Sequence, residues 1–164
     1  MTESEIQDLL YLNFSEKKNH ELCVPNVKAL VPRGESDLVS VTKSRFVHEF
    51  EIKISSSDFK REFKSKKKKH RLLENIHEGE SKIGAPNYFW FAFSDSGVYG
   101  GDVSSVPSYA GVLHFGKTRN VFGTKYPKLT IERKAPRLHS DRASDRVVRY
   151  LERGTTIRYW NTRT

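Results

Sequence analysis

Hydrophobic and polar residues alternate along the first half of the chain, and this alternation predicts a β-hairpin. Two runs with a period of two, at residues 37–42 and 46–54, are separated by a short polar turn at 43–45. In the second run one face is apolar, and the other carries Glu49, Glu51 and Lys53. The pattern therefore predicts two paired strands, the second of which has a charged face.

Other segments of the chain also have the composition of strands. Residues 88–93 are continuously apolar, which favours a central strand that is covered on both faces. Further strands are predicted at 26–31, 110–115 and 128–133, with a shorter one near 119–123. Loops are predicted in the polar segment 15–22 and in the glycine-rich segment 94–108.

Helical periodicity predicts three helices, at 2–13, from 55–58 to about 74, and at about 141–152. Thr2 and Glu5 have the spacing of a capping box, and Ser140 is placed to cap the last helix. The order helix, strands, helix, strands, helix is typical of an α/β fold with a mixed sheet flanked by helices. A chain of 164 residues has the length of one domain, so residues 1–164 are expected to form a single domain.

Positive charge is concentrated in two blocks of the chain. The net charge is +9; residues 60–71 carry eight basic side chains and one acidic side chain, and residues 117–164 carry thirteen and four. Basic blocks of this kind favour binding to a polyanion, so DNA is the expected partner. The alternative is a solvated basic surface without a specific partner.

Several classes of protein are disfavoured by what the chain lacks. Cys23 is the single cysteine, so neither an internal disulfide nor a cysteine-ligated zinc site is expected. No apolar run has the length of a membrane span, and the first residues do not have the pattern of a secretory signal. We therefore expect a cytoplasmic protein that does not associate with membranes.

Candidate chemistry comes from the pattern acidic residue, any residue, lysine, which places both side chains on the same side of a strand. Carboxylates supply oxygen ligands for a divalent ion, and a nearby lysine stabilises charge during phosphodiester cleavage. The pattern occurs six times, but only Glu51/Lys53 and Glu132/Lys134 lie in predicted strands. The first pair is favoured because Asp37 begins the partner strand and a basic helix follows. A cross-strand ion pair is the alternative interpretation.

Asp37 and the run Glu51-Ile52-Lys53, in a hairpin followed by a helix, resemble the core of the PD-(D/E)XK nuclease superfamily. This resemblance implies a restriction-endonuclease-like fold and Mg²⁺- or Mn²⁺-dependent hydrolysis of DNA. Asp37, Glu51 and the Ile52 carbonyl would hold the metal ion. Lys53 would orient the attacking water and stabilise the transition state.

Two further segments, 51–59 and 106–111, are more closely similar to MmcB-type DNA repair proteins and related phage-encoded proteins. The resemblance extends over about residues 3–115, with Ser36 at the position of the superfamily's proline. It implies a role in DNA repair, recombination or phage DNA processing, in a bacterium or a phage-infected cell.

The resemblance also implies an acidic residue on the first helix that completes the metal site. Glu5 is the first candidate and Glu3 is the alternative. Glu5 can equally serve only as the capping-box residue of its own helix.

Two basic surfaces are predicted to contact DNA phosphates. In the first block, four residues are spaced to share one helical face, and the remaining lysines are expected to be solvated. These four are Lys64, Lys67, Lys68 and Arg71. In the second block, the candidates are Arg137, His139, Arg142 and Arg146, with the arginine spacing continuing to Arg149 and Arg153. An arginine-rich outer helix face without a partner is an equal alternative for the second surface.

Two other functions remain open. A protein with this fold could bind DNA or a protein partner without cutting, in which case the hairpin carboxylates would be ion-pair residues. A small basic RNA-binding or inhibitor protein without nuclease ancestry is the second alternative. A homodimer is a further expectation, because nucleases of this size often pair to cut two strands, but the sequence locates no interface.

Overall fold

A computed structural model describes residues 1–28, 34–80 and 85–161, with side chains up to residue 157. In these ranges six strands form one mixed sheet, in which they lie side by side in chain order. The strands are β1 (Leu22–Lys28), β2 (Glu35–Val41), β3 (Val47–Lys53), β4 (Tyr88–Phe93), β5 (Ala110–Arg119) and β6 (Lys125–Arg133). The pairs β1–β2, β2–β3 and β5–β6 are antiparallel, whereas β3, β4 and β5 are parallel.

Helices flank this sheet, so the predicted α/β fold with a mixed sheet is confirmed. The helices are α1 (Glu3–Tyr11), α2 (Ser56–Ser65), α3 (Lys67–His77) and α4 (Asp145–Asn161). A π-helical turn, Leu12–Lys17, continues α1, and two short 3-10 turns follow β4 at Ser96–Tyr99 and Val103–Ser105. None of the helices in these ranges is both long and apolar enough to cross a membrane.

Alternation along β3 and β4 divides the core into two layers. Phe50 and Trp90 pack on one face of the sheet with α1, which buries Ile6 and Leu10 one helical turn apart. On the other face Phe89, Phe91 and Phe93 pack against α2 and α3. The predicted central strand at 88–93 is therefore confirmed as β4, because it is buried on both faces.

Helix α4 covers the antiparallel end of the sheet. Leu151 and Val147 pack against valines of β1 and β2, including Val39 and Val41. These valines alternate with Leu38, which packs towards α1, so α4 lies on the same side of the sheet as α2 and α3.

The predicted second helix is interrupted, which the sequence pattern did not indicate. Lys66 has φ −111° and ψ 34°, outside the helical region, and it separates α2 from α3. Lysine is a good helix former and no glycine or proline marks the position, so local propensity gave no signal for a break. The break turns the Lys66 side chain towards the sheet, where it contacts Glu51.

Other boundaries also differ from the prediction, among them those of β5 and β6, which are longer than the predicted strands. Residues 119–123 are not a separate strand, because β5 runs to Arg119 and residues 120–124 form the β5–β6 turn. The first strand begins at Leu22, and the last three residues of the predicted run 26–31 lie outside the described ranges. Helix α4 begins at Asp145, where the Ser144 hydroxyl accepts a hydrogen bond from the Val147 N–H (3.4 Å), so the predicted cap at Ser140 is wrong.

Candidate active site

The β2–β3 hairpin brings Asp37 to the strand segment that carries Glu51 and Lys53. The antiparallel ladder ends at the pair Leu38–Phe50, and one further step of the same register places Asp37 opposite Glu51. Beyond the end of the ladder, the Ile52 N–H donates a hydrogen bond to Asp37 Oδ2 at 2.6 Å. A side-chain carboxylate therefore takes the place of the next backbone acceptor.

Asp37 is an unusual carboxyl group in this position. Burial and the neighbouring Glu51 carboxylate raise the pKa of Asp37 to about 7, against the opposing effects of the Ile52 N–H and the ammonium groups of Lys53 and Lys66. Among the described residues no basic side chain lies within ion-pair distance of it. At neutral pH the group is close to half protonated, and its charged form is only weakly compensated.

Glu51, in contrast, is surrounded by cations. Its side chain is fully buried, and the ammonium groups of three lysines approach its two oxygens. Lys66 Nζ lies 2.7 Å from Oε2, Lys53 Nζ lies 3.5 Å from the same oxygen, and Lys69 contacts Oε1. The charged faces of β3 and of the α2–α3 junction therefore meet inside the protein.

Two more carboxylates complete this buried cluster. Glu62 of α2 lies 3.0 Å from Lys53 Nζ and 3.5 Å from Lys66 Nζ, and Glu49 of β3 pairs with Lys69. Burial raises the pKa of Glu62, but the His70 hydrogen bond and these two lysines outweigh it and hold that pKa well below its ordinary value. Three ammonium groups thus face three carboxylates, and Asp37 is the additional acid.

The pKa values of the buried lysines shift in the opposite direction to that of Glu62. Burial lowers the pKa of Lys53, yet Glu51 and Glu62 outweigh it and raise that pKa above its ordinary value. The pKa of Lys69 is raised in the same way by Glu49 and Glu51. Both lysines are therefore fully charged at neutral pH and act as fixed positive charges beside the carboxylates.

Hydrogen bonds from outside hold the cluster in place. His70 Nε2 lies 3.0 Å from Glu62 Oε1, and His70 Nδ1 lies 2.8 Å from the Tyr109 hydroxyl. Ser36 donates its hydroxyl hydrogen to Glu49 at 2.7 Å. The first of these chains links α2, α3 and the segment before β5, so the side chains around Lys53 have little freedom to move.

Lys69, Lys66, Glu62 and His70 are site residues that sequence reasoning missed, and the two lysines show why. The lysine run was expected to face solvent or DNA, but the Lys69 side chain is only 1% exposed. One signal was available, because Lys69 has the i, i+4, i+7 spacing with the apolar residues Leu73 and Ile76. The inward turn of Lys66 had no such signal, since it depends on the helix break.

Glu5 lies apart from these groups. The Thr2 N–H donates to Glu5 Oε2 at 2.7 Å, and the Thr2 hydroxyl accepts from the Glu5 N–H, so the predicted capping box is confirmed. Gln7 is the α1 residue that reaches β2: its side-chain amide donates to the Asp37 carbonyl at 2.8 Å and to Asn26 Oδ1 at 2.9 Å. Glu3, the alternative, is exposed at the start of the helix.

The first predicted DNA surface lies on the outside of α2 and α3. Its four residues Lys64, Lys67, Lys68 and Arg71 are all exposed. They do not form one continuous helical face, because the break at Lys66 separates Lys64 from the other three. The exposed charge is nevertheless on the helices that cover the buried cluster.

The second predicted surface is more divided. Arg137, Arg142 and Arg146 are all exposed, but Arg142 precedes α4 and lies over the Phe46 ring at 6.0 Å. The spacing predicted that Arg142 and Arg146 lie on one helix. This prediction is wrong, because α4 begins at Asp145. His139 uses both ring nitrogens within the protein, with Nε2 3.0 Å from the Ala85 carbonyl and Nδ1 accepting from the Asp141 N–H at 3.2 Å.

Comparison with known proteins shows similarity of fold and indicates no activity. No family model and no curated protein matches this chain. Among solved structures it is similar to the SPO1766 protein of unknown function from Silicibacter pomeroyi, with a TM-score of 0.53 and 14% sequence identity over 87% of this chain and 79% of that chain. A similarity at this identity shows a shared fold alone.

The oxygen donors available to a cation are few. No group of three or more histidine, cysteine, aspartate or glutamate side chains in the described ranges is arranged to hold a metal ion. What the hairpin offers is a pair of carboxylates, Asp37 and Glu51, with the backbone of Ile52 between Glu51 and Lys53. Mg²⁺ accepts this kind of site when water or a substrate phosphate supplies the remaining ligands.

Proposed function

We propose that this protein is a metal-dependent DNA endonuclease with a restriction-endonuclease-like fold, and that Asp37, Glu51 and Lys53 form its active site. The observation that carries the proposal is the environment of Asp37. It is a partly buried carboxyl beside Glu51 with no ammonium group within ion-pair distance among the described residues, and its pKa is raised to about 7. A purely structural ion-pair cluster has no use for such a group, whereas a divalent cation would compensate it.

The residues present fit a divalent ion on one condition. Both oxygens of Glu51 are engaged by ammonium groups, and Lys66 is the most exposed of the three lysines, with 22% of its side chain accessible. Lys66 also donates to the Glu35 carbonyl at 3.2 Å, so its ammonium group already lies among oxygen atoms. A metal ion would take over Glu51 Oε2 as Lys66 withdraws towards solvent.

The chain's own residues would then divide the work of phosphodiester hydrolysis. The bound metal would polarise the phosphate and lower the pKa of a water molecule. Lys53, held 3.0 Å from Glu62 and therefore fixed in direction, would place its positive charge beside the developing phosphorane. Glu62 and His70 would keep Lys53 oriented, and Lys69 would hold the Glu51 carboxylate in place.

Cleavage of a panel of labelled duplex, single-stranded and branched DNA tests the proposal. We expect cleavage with Mg²⁺ or Mn²⁺ and none with EDTA. Glu51→Gln should reduce the rate at least about 10²–10³-fold, the loss typical of removing one electrostatic group from an active site.

Glu132→Gln is the matched control, because Glu132 and Lys134 have the same spacing and Glu132 lies in β6. Its side chain is 35% exposed and pairs with His114 at 3.4 Å, away from the buried cluster. The control variant should cut DNA at the wild-type rate. Equal cleavage by Glu51→Gln and the wild-type protein would contradict the assignment.

A second candidate function is a DNA-binding module that does not cut. The saturation of Glu51 by three ammonium groups favours this candidate, because a cluster closed in this way is a stable ion-pair network without any metal. Such a module would bind DNA equally well with EDTA and with Mg²⁺, and it would take up no stoichiometric Mn²⁺.

Replacement of Lys66 separates the two candidates. In the nuclease, Lys66→Met removes the cation that competes for Glu51 Oε2, so we expect the Mn²⁺ affinity to rise about tenfold, equivalent to about 1.4 kcal/mol. Isothermal titration calorimetry measures this change. Lys67→Met, at the exposed neighbouring position, should leave the affinity unchanged. An unchanged or weaker affinity in Lys66→Met would count against a metal at Glu51.

A further inference from the structure

The β5–β6 hairpin extends far beyond the sheet to which it belongs. β5 pairs with β4 only as far as His114, opposite Phe93, but its pairing with β6 continues to Arg119, opposite Lys125. Five residues of β5 thus project past the end of β4, a distance of about 16 Å at 3.3 Å per residue. Along this part no β4 residue lies beside the hairpin, but its base packs against α1: Phe115 is buried with Ile6 and Leu10, and Lys117 and Lys125 share a cleft with α1. This two-stranded ribbon projects freely only towards its tip.

Its side chains are basic on the strands and apolar at the tip. Residues 116–128 contain no acidic residue. The basic residues of this segment are all exposed, and they are Lys117, Arg119, Lys125 and Lys128. At the tip Val121 is 93% exposed and Phe122 is 88% exposed. An aromatic ring left in water at the end of a protruding ribbon gains nothing for folding, and it is available for binding.

The tip has a defined turn that holds Phe122 outwards. Asn120 Oδ1 accepts hydrogen bonds from the N–H groups of Phe122 at 3.0 Å and Thr124 at 2.9 Å. Gly123 has φ +79°, a left-handed conformation that suits glycine. The ring is therefore presented by an ordered turn.

The hairpin rises from the same end of the sheet as the buried cluster. The parallel register aligns Lys53 with Phe93 and Phe93 with His114, so β5 leaves the sheet at the level of Lys53. Two strand spacings, about 10 Å, separate β3 from β5. The major groove of a double helix alone is about 12 Å wide, which is more than the distance between β3 and β5. One double helix can therefore contact both strands at this end of the sheet.

We propose that the β5–β6 hairpin is a nucleic-acid-binding ribbon, in which the four basic side chains contact phosphates and Phe122 stacks on unpaired bases. Basic strands of a ribbon follow a phosphate backbone, and an exposed aromatic ring stacks on any base that is not already stacked in a duplex. DNA that combines a duplex with unpaired bases, such as a flap or a bubble, is the partner that uses both features. The proposal concerns binding and does not require cleavage.

An anionic membrane surface is the other partner that a basic ribbon with an aromatic tip could take. Nucleic acid is favoured because the hairpin leaves the sheet beside the cluster, and because exposed lysines on α3 add positive charge on the helices over that cluster. Binding to vesicles is therefore an outcome that the test must register.

Fluorescence anisotropy with labelled DNA in EDTA tests the proposal without any cleavage. With a bubble or flap substrate, we expect Phe122→Ser to weaken binding about tenfold, the effect of losing one stacked base. Phe122→Leu keeps the apolar volume but not the ring, and it should show most of the same loss. On fully paired duplex, both variants should bind nearly as the wild-type protein does.

The charge on the ribbon is tested by the salt dependence of the same binding. Lys125→Ser should lower the slope of log affinity against log salt by about 0.9, the effect of one lost phosphate contact. Lys43→Ser is the matched control, because it removes one positive charge at the β2–β3 turn, which lies at the opposite end of β3 from Lys53. The control should leave the slope unchanged.

Three results would overturn the proposal. One is wild-type affinity for bubble and flap DNA in both Phe122 variants. Another is the absence of any DNA binding in EDTA. The third is tighter binding to vesicles that contain phosphatidylserine than to DNA, with loss of that binding in Phe122→Ser. Cleavage is read separately with Mg²⁺, so a protein that binds through this ribbon but does not cut would contradict only the nuclease proposal.

Discussion

Asp37→Asn is expected to make the protein more stable and, at the same time, unable to cut DNA. The pKa of Asp37 is raised from 3.8 to about 7 in the folded protein, so the folded state binds an extra proton between these values. As the pH rises through this window the wild-type protein loses stability, and the full cost is present above pH 7. Asparagine does not titrate and therefore does not carry this cost.

The size of the effect is large for a single substitution. An increase of this size in pKa lowers the free energy of unfolding of the wild-type protein by on the order of 2–4 kcal/mol at pH 8. At pH 5 the loss is smaller by about 2 kcal/mol. Asparagine retains an oxygen that can accept the Ile52 N–H, so the backbone contact of Asp37 is preserved. Urea unfolding of both proteins at pH 5 and pH 8 measures the difference.

Asp8→Asn is the control for this comparison, because Asp8 is an exposed aspartate on α1. It should change the unfolding free energy by less than about 0.5 kcal/mol at either pH. A gain in stability together with a loss of Mg²⁺-dependent cleavage would identify Asp37 as a residue kept for function. A loss of stability at pH 8 in Asp37→Asn would show that the carboxylate is compensated within the protein.

Lys69→Met is expected to have the largest cost to folding. The ammonium group of Lys69 pairs with Glu49 and Glu51, and all three side chains are buried. Breaking a buried ion pair by removing one partner costs about 3–5 kcal/mol, because the charge that remains, here that of Glu49, stays buried without an ammonium partner. The unfolding free energy at pH 7 measures this loss.

Lys68→Met is the matched control, since Lys68 is the exposed neighbour of Lys69 in the same helix. Its unfolding free energy should stay within about 0.5 kcal/mol of the wild-type value. If Lys69→Met alone does not fold, adding Glu49→Gln removes the carboxylate that has lost its ammonium partner and should recover a folded protein, since Glu51 keeps Lys53 and Lys66. A cost below about 1 kcal/mol for Lys69→Met would contradict the buried network.

The sequence pattern predicted the parts of the fold that depend on periodicity. The alternation at 37–42 and 46–54 and the apolar run at 88–93 correspond to β2, β3 and β4. Each of these segments has a period or a composition that only one kind of element satisfies. The prediction of a separate strand at 119–123 was wrong, because Val121 and Phe122 are residue types common in strands but lie in an exposed turn.

The site could be predicted only as far as local spacing reaches. Hairpin geometry was enough to expect Asp37 near Glu51. The buried partners of Glu51 come from α2 and α3, and their positions depend on the break at Lys66, which is decided by tertiary contacts. The β5–β6 ribbon was missed for the same kind of reason, because its length beyond β4 is set by pairing and not by composition.

The most direct measurement is the uptake of Mn²⁺ by the wild-type protein and by Asp37→Asn. Isothermal titration calorimetry measures it at pH 7.5 and at pH 5.5. A nuclease site between Asp37 and Glu51 predicts one equivalent of Mn²⁺ at pH 7.5 and weaker binding at pH 5.5, where a proton competes for Asp37. It also predicts loss of that binding in Asp37→Asn. No stoichiometric uptake by the wild-type protein, or equal uptake by the variant, would contradict the proposed metal site.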